Sequence, residues 1–360
     1  MNRRWICSDV WMDILPSFDH AQLGLKMALL SDRFDILVDT HFDEKATELT
    51  IWRTITISKY TARPKAKLCA GWNAVDFPFP DRPLPNKIRI KDLRIDYIDY
   101  SVIEFLRSNQ QIWDRMGTKL NLAVLSSWNT EDNQTIWDVL ASEIWPIFAT
   151  NIRHLSFISG GYLDIFRRRI SPTLLTDLDQ LHSIDSGGLF PGVIADDGPN
   201  ATAGQALSKW LHTPTKDGQP KRLFCEYFTE EGNLDWVNSF KETFLRATDS
   251  SVSYEINFEA SANSIEPFEL VNERTKEKLT LLALEEDSDD GFISDWLLKR
   301  CPISEKAAAI QWKNDDENWD DDKLNEVTFN LWNGINKSIG PLSPPAAEEE
   351  KEEADESNDN

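Results

Sequence analysis

LNLAVL (120–125), TIWDVLASEIWPIF (135–148) and IRHLSFI (152–158) follow one another near the middle of the chain. The outer two are short apolar runs suited to strands, and the inner one has a helical pattern. The same alternation extends in both directions. Upstream, IRIKDLRIDY around Leu93 precedes SVIEFLRSNQQIWDRM; downstream come the helix-like PTLLTDLDQL, LHSIDS around Ile184, TAGQALSKWLH, KRLFCEYF around Leu223, LDWVNSFKETFLRA and VSYEINF around Tyr254. The strand centres Leu93, Leu122, Leu155, Ile184, Leu223 and Tyr254 are 29, 33, 29, 39 and 31 residues apart by subtraction. A near-regular step of that length is one strand-plus-helix unit. Units of this kind stack into a curved solenoid, because none can bury its own apolar face alone. A doubly wound parallel sheet gives a similar alternation, and right-handed crossovers are expected in both. The expectation is therefore an α/β chain whose residues 87–262 form an irregular α/β repeat solenoid. Ser186–Asn200 and Thr213–Pro220, rich in Gly, Pro and Asp, read as loops on one rim.

Segments of different character flank this region. Residues 8–42 (SDVWMDILPSFDHAQLGLKMALLSDRFDILVDTHF) read as three short amphipathic helices within an N-terminal unit, 1–45. Ser8 or Asp9 is expected to cap the first and Pro16 to stop it, Asp19 opens the second, and Ser31 or Asp32 caps the third. Their apolar faces are too wide to hide within so small a unit. Residues 46–86 hold two expected strands, Glu48–Lys59 and Lys67–Trp72, and the stiff connector FPFPDRPLPN (77–86). Residues 263–340 are expected to form a β-rich cap. It consists of a hairpin turning at Asn272–Lys276, an acidic loop at Glu285–Gly291, a short helix ending near Cys301-Pro302, and strands at Ala307–Lys313 and Glu326–Trp332. Residues 341–360 are disordered by composition.

The order of features in the first 45 residues resembles an F-box. An opening apolar pair lies around a Trp, Ile14-Leu15 follows, a Leu stands in the second helix, and Leu30-Ser31-Asp32-Arg33-Phe34 occupies the place of the family's Val-Ser-basic-Trp type signature. Ile6-Cys7 replaces the usual opening Leu-Pro, and Phe34 stands where Trp is common. The whole chain is also similar to divergent F-box-type families of nematodes, which share stretches like WLHTPTKDGQPKRL and PFELVNERTKEKLTL. The resemblance implies docking onto the Skp adaptor of a Skp/cullin/F-box ubiquitin ligase. Val10, Trp11, Ile14, Leu15, Leu23, Met27, Leu30 and Phe34 would supply the adaptor surface, some of them turned inward. The 87–262 region resembles an irregular leucine-rich-repeat array in layout, though neither the Leu-x-x-Leu-x-Leu pattern nor the Asn ladder is kept.

Composition narrows the partners. The chain has 360 residues, 41% of them hydrophobic, 14 Trp and 18 Phe, so a substantial core is within reach, and the formal charge is -23. That sign disfavours nucleic acid and anionic membranes and favours basic partners. Cys7, Cys69, Cys225 and Cys301 have no paired spacing and fit reduced thiols in a cytoplasmic or nuclear protein. MNRRWICSDVWMDILP lacks the uninterrupted apolar run of a signal peptide, and no run reaches membrane-spanning length.

Chemistry is hard to find. GxxxxGK[ST], GxSxG, HExxH and paired-cysteine patterns are all missing from the sequence. His154 and His182 adjoin strand centres and read as structural, and the acidic runs at Asp196-Asp197 and 287–291 as solvated loops rather than calcium sites. Arg167-Arg168-Arg169, the one tight basic cluster, reads first as a solvated helix end, with a site for a phosphate or an acidic peptide as the alternative. The C-terminal tryptophans are core candidates, any exposed ones being possible partner anchors. The sequence thus points to a protein that is not an enzyme, with no cofactor or metal. Its expected role is to recruit an unknown target protein to the ligase, with a repeat-type binding scaffold lacking any ligase role as the alternative.

Overall fold

In a computed structural model of the protein, the described residues are 6–18, 22–45, 50–58, 67–70, 75–77, 83–84, 88–114, 117–125, 134–229, 235–248, 252–261, 265–284, 293–304, 324–332 and 338–343. The N-terminal residues form α1 (Ser8–Ile14), a 3-10 turn (Leu15–Ser17), a π turn (Leu23–Met27) running into a second 3-10 turn (Ala28–Leu30), and α2 (Asp32–Lys45). Ser31 caps α2, its Oγ accepting from the Phe34 N–H at 3.4 Å. The start of α1 departs from expectation: Cys7 precedes it with no side-chain cap, and Pro16 lies inside the 3-10 turn that extends it. Asp19 lies outside the described residues, as do Ala307–Lys313 and most of the Pro-rich connector, the acidic loop and the tail.

Thirteen strands form one sheet. In chain order they are β1 (Thr50–Ser58), β2 (Lys67–Ala70), β3 (Val75–Phe77), β4 (Ile88–Ile95), β5 (Thr118–Leu125), β6 (Ile152–Phe157), β7 (Ser183–Asp185), β8 (Lys221–Thr229), β9 (Tyr254–Ser261), β10 (Phe268–Asn272), β11 (Glu277–Ala283), β12 (Ile293–Pro302) and β13 (Asn325–Trp332). Across the sheet they run β10-β11-β12-β9-β8-β7-β6-β5-β13-β4-β1-β2-β3. Every pair from β1 through β4, β13 and β5 to β9 is parallel, and the pairs beyond β1 and β9 are antiparallel. From β5 to β9 each strand lies beside its predecessor without reversal. The fold is mixed α/β with a large, mostly parallel sheet.

Period-two alternation sets the two faces. Along β9, Tyr254, Ile256, Phe258 and Ala260 are buried, while Glu255, Asn257 and Glu259 keep partial exposure. The register carries this across the molecule: Ile55, Leu93, Val327, Leu120, Leu155, Ile184, Leu223, Ile256, Leu298 and Leu281 form one row over ten strands, each at most 1% exposed. Helices cover this side. The region after β4 holds α3 (Tyr100–Ser108), α4 (Gln110–Asp114), α5 (Gln134–Val139), α6 (Trp145–Phe148), α7 (Gly160–Arg169), α8 (Leu174–Asp177), α9 (Ala203–Leu211) and α10 (Asp235–Arg246). Phe148 of α6 meets Phe329, Phe166 of α7 meets Phe157, and Phe240 and Trp236 of α10 meet Tyr254 and Phe258. Buried residues from Leu15 to Leu331 belong to one apolar cluster.

Two expectations for the C-terminal section are corrected. Ile293–Pro302 is a strand, not a short helix: Trp296, Leu298 and Arg300 point inward and alternate with Leu297 and Lys299, a period of two that no helix supports. Nor does the section only cap the end. β10 to β12 extend the far edge, but β13 enters the middle of the sheet and pairs with β4 on one side and β5 on the other. PTLLTDLDQL yields a single helical turn, α8.

Candidate partner-binding surfaces

The N-terminal helices pack through aromatic contact. Trp11 of α1 meets Phe34 of α2 edge-on, with centroids 4.8 Å apart, and the Arg33 guanidinium donates to the Ile6 carbonyl at 2.6 Å. The eight residues expected to form an adaptor surface divide into three groups. Leu15 and Leu23 are fully buried anchors, and Trp11, Ile14, Met27 and Phe34 are half-buried. Val10 (46% exposed) and Leu30 (63%) face solvent, joined by Ile36 (66%), which is not among the eight.

A second surface is the side of the sheet opposite the helices. Asp92, Glu326, Lys119, His154, Ser183, Arg222, Glu255 and Lys299 form a polar row at matched register. Asn121 donates to Glu326 Oε1 at 2.6 Å and to Thr328 Oγ1 at 3.1 Å, and Arg222 pairs with Glu255 at 3.0 Å. Burial, with the neighbouring Glu326 carboxylate, raises the Asp92 pKa. Burial, with Lys119 beside it, holds His154 neutral with a pKa of about 3.

Buried titratable groups elsewhere are tied into the fold. His182 uses both ring nitrogens, Nδ1 toward the Gln180 carbonyl at 2.6 Å and Nε2 toward Asp217 at 3.0 Å. Lys221, brought to about 7 by burial, donates to the Trp210 and Thr213 carbonyls at the end of α9 and lies under the Trp210 ring. Cys225 is pushed up to about 12 by burial, which leaves the thiol inert as a nucleophile. Arg167 is a clamp instead of a solvated helix end. Only 3% exposed, it donates to the Pro172, Ala201 and Gly198 carbonyls and so fixes the loop before α9. Trp113, Trp137, Trp145, Trp210, Trp236 and Trp296 are all buried, so none of these six is a partner anchor. Among the described residues no group of His, Cys, Asp or Glu is placed to hold a metal, and no helix is long and apolar enough to cross a membrane.

Among the described residues neither surface brings together a nucleophile, a base and an electrostatic stabiliser. Compared with models of protein families, with curated proteins and with solved structures, the chain matches none.

Proposed function

We propose that the protein is a non-catalytic substrate-recognition subunit of a Skp/cullin/F-box ubiquitin ligase. Its N-terminal helices dock the Skp adaptor, and its sheet region, read as a leucine-rich-repeat-like array, binds a target protein. The exposure of Val10, Leu30 and Ile36 on helices anchored from beneath by Leu15 and Leu23 carries the reading. Solvent-facing apolar side chains held at fixed positions cost folding stability and gain it back at an interface. The unreversed order β5 to β9 supports a repeat-type array. The mechanism is proximity: a target held near the charged conjugating enzyme reacts at raised effective concentration. Co-purification with the Skp adaptor tests this. Val10→Ala plus Leu30→Ala removes only exposed side chains, so the fold stays intact while the association is lost. Undiminished association, or none with the parent chain, sinks the proposal.

A second reading rests on the continuity of Leu15, Leu23, Val38 and Phe42 with the core of the sheet. On that reading the helices cap a binding scaffold with no ligase role. Removal of residues 1–45 then lowers the melting temperature of the remainder strongly, whereas a separate docking module leaves it nearly unchanged.

A further inference from the structure

On the side away from the helices, the antiparallel end of the sheet carries two neighbouring features that folding alone disfavours. Leu282 (48% exposed) and Leu284 (40%) stand on and just beyond β11, and Leu282 lies directly opposite Leu297 of β12. Two residues before Leu297, Asp295 lies directly opposite Glu259 of β9. Both project from the same side as the leucines, because strand side chains alternate with a period of two. Like charges opposed across an antiparallel pair are destabilising, and neither carboxylate has an ion pair among the described residues. The Leu284 N–H donates to the Asp295 carbonyl at 2.7 Å, which sets the leucine strip against the carboxylate pair. Immediately after Leu284 the sequence adds Glu285, Glu286, Asp287, Asp289 and Asp290.

We propose that this patch is a docking surface for a basic segment of a protein partner. Aliphatic side chains of the partner cover Leu282, Leu284 and Leu297, and its lysines or arginines neutralise Glu259 and Asp295. The proposal rests on the reading of the sheet region as the target-binding part, and adds the chemistry of the target. One partner relieves both costs at once: the apolar strip leaves water and the opposed carboxylates gain counter-cations. A second copy of a chain with charge -23 would bring the same acids into contact, and nucleic acid or an anionic membrane would be repelled.

The test uses the full chain and a fluorescent peptide alternating arginine and leucine, read by anisotropy, with a glutamate-leucine peptide of equal length as control. The parent binds the first and not the second. Leu282→Ser plus Leu297→Ser, and separately Glu259→Gln plus Asp295→Asn, weaken binding by about tenfold or more. Asp295→Asn alone leaves the melting temperature unchanged or raises it, since it removes a repulsion. No binding by the parent, equal binding by the variants, equal binding of the acidic peptide, or a lowered melting temperature of Asp295→Asn overturns the proposal. Adaptor co-purification of the same variants separates the two ideas: its absence sinks the ligase reading and leaves the docking result standing.

Discussion

Replacement of Phe329 by alanine tests the central position of β13. The side chain is fully buried, lies level with Ile95 of β4 and Leu122 of β5, and meets the Phe148 ring of α6 edge-on at 6.2 Å. Packed on both sides and above, the site cannot collapse inward to fill the space. The cost belongs with fully enclosed Phe→Ala changes, about 3–5 kcal/mol. Against a typical domain stability of about 5–15 kcal/mol, that is a loss of about a fifth or more. Urea unfolding followed by tryptophan fluorescence and by far-UV circular dichroism reads the change as a lower midpoint. Leu342→Ala, at a position 40% exposed, serves as the control and shifts stability by no more than about 0.5 kcal/mol. A cost for Phe329→Ala below about 1 kcal/mol would refute the reasoning, because it would put the strand on a loosely attached rim.

The buried imidazoles set a pH dependence. Burial lowers His212 to about 4 and His154 to about 3, so both are neutral in the folded chain while the unfolded chain takes up protons below about 6.5. Stability is then fully present above pH 6.5 and falls as pH drops toward 4, by up to about 1.4 kcal/mol per pH unit for each ring. His212→Asn should flatten the fall in urea midpoint between pH 6.5 and 5, and an unchanged slope would count against it. Glu277 and Arg300, each 2% exposed, pair at 2.6 and 3.1 Å, with Arg300 over the Phe244 ring. Glu277→Gln removes the charge that balances a buried guanidinium and should cost about 3–5 kcal/mol in thermal unfolding, whereas Glu277→Leu with Arg300→Met should fall close to the parent.

Much of the sheet was legible because its alternation is local. The central residues read from sequence as Leu93, Leu155, Ile184 and Leu223 occupy a single row of the sheet, and Leu122 and Tyr254 sit on the same face one rung away. A step of about 30 residues is what a strand, a helix and two turns consume, so the pattern repeats wherever the architecture does. The place of β13 was not legible. Its alternation marks it as a strand, but its neighbours β4 and β5 lie more than 200 residues earlier in the chain, and no local pattern encodes pairing at that distance. Arg167 was misread for a related reason: three consecutive arginines resemble a solvated helix end, and the carbonyls that hold one of them come from Pro172 and from the returning 198–201 loop. In the N-terminal unit, the spacing identified the apolar residues but not their division between core and solvent, since Leu15 and Val10 are both apolar, yet one is fully buried and the other exposed.

The unreversed run from β5 to β9 bears on function as well as on fold. In a doubly wound sheet the direction of strand addition reverses, crossovers of one hand then place helices on both faces, and small ligands bind at the switch point. Here strand addition keeps one direction through five strands. The helix contacts at Phe157, Tyr254, Phe258 and Phe329 all fall on the apolar face, and the polar row from Asp92 to Lys299 lies on the other. A face lined by Lys119, Asn121, Arg222 and Glu255 is too hydrophilic to accept a second helical layer, because each paired charge would have to be desolvated beneath it. This face of paired charges is what the function proposed above assigns to a target protein, and at the antiparallel end Asp295 lies opposite Glu259 without a counter-cation between them among the described residues.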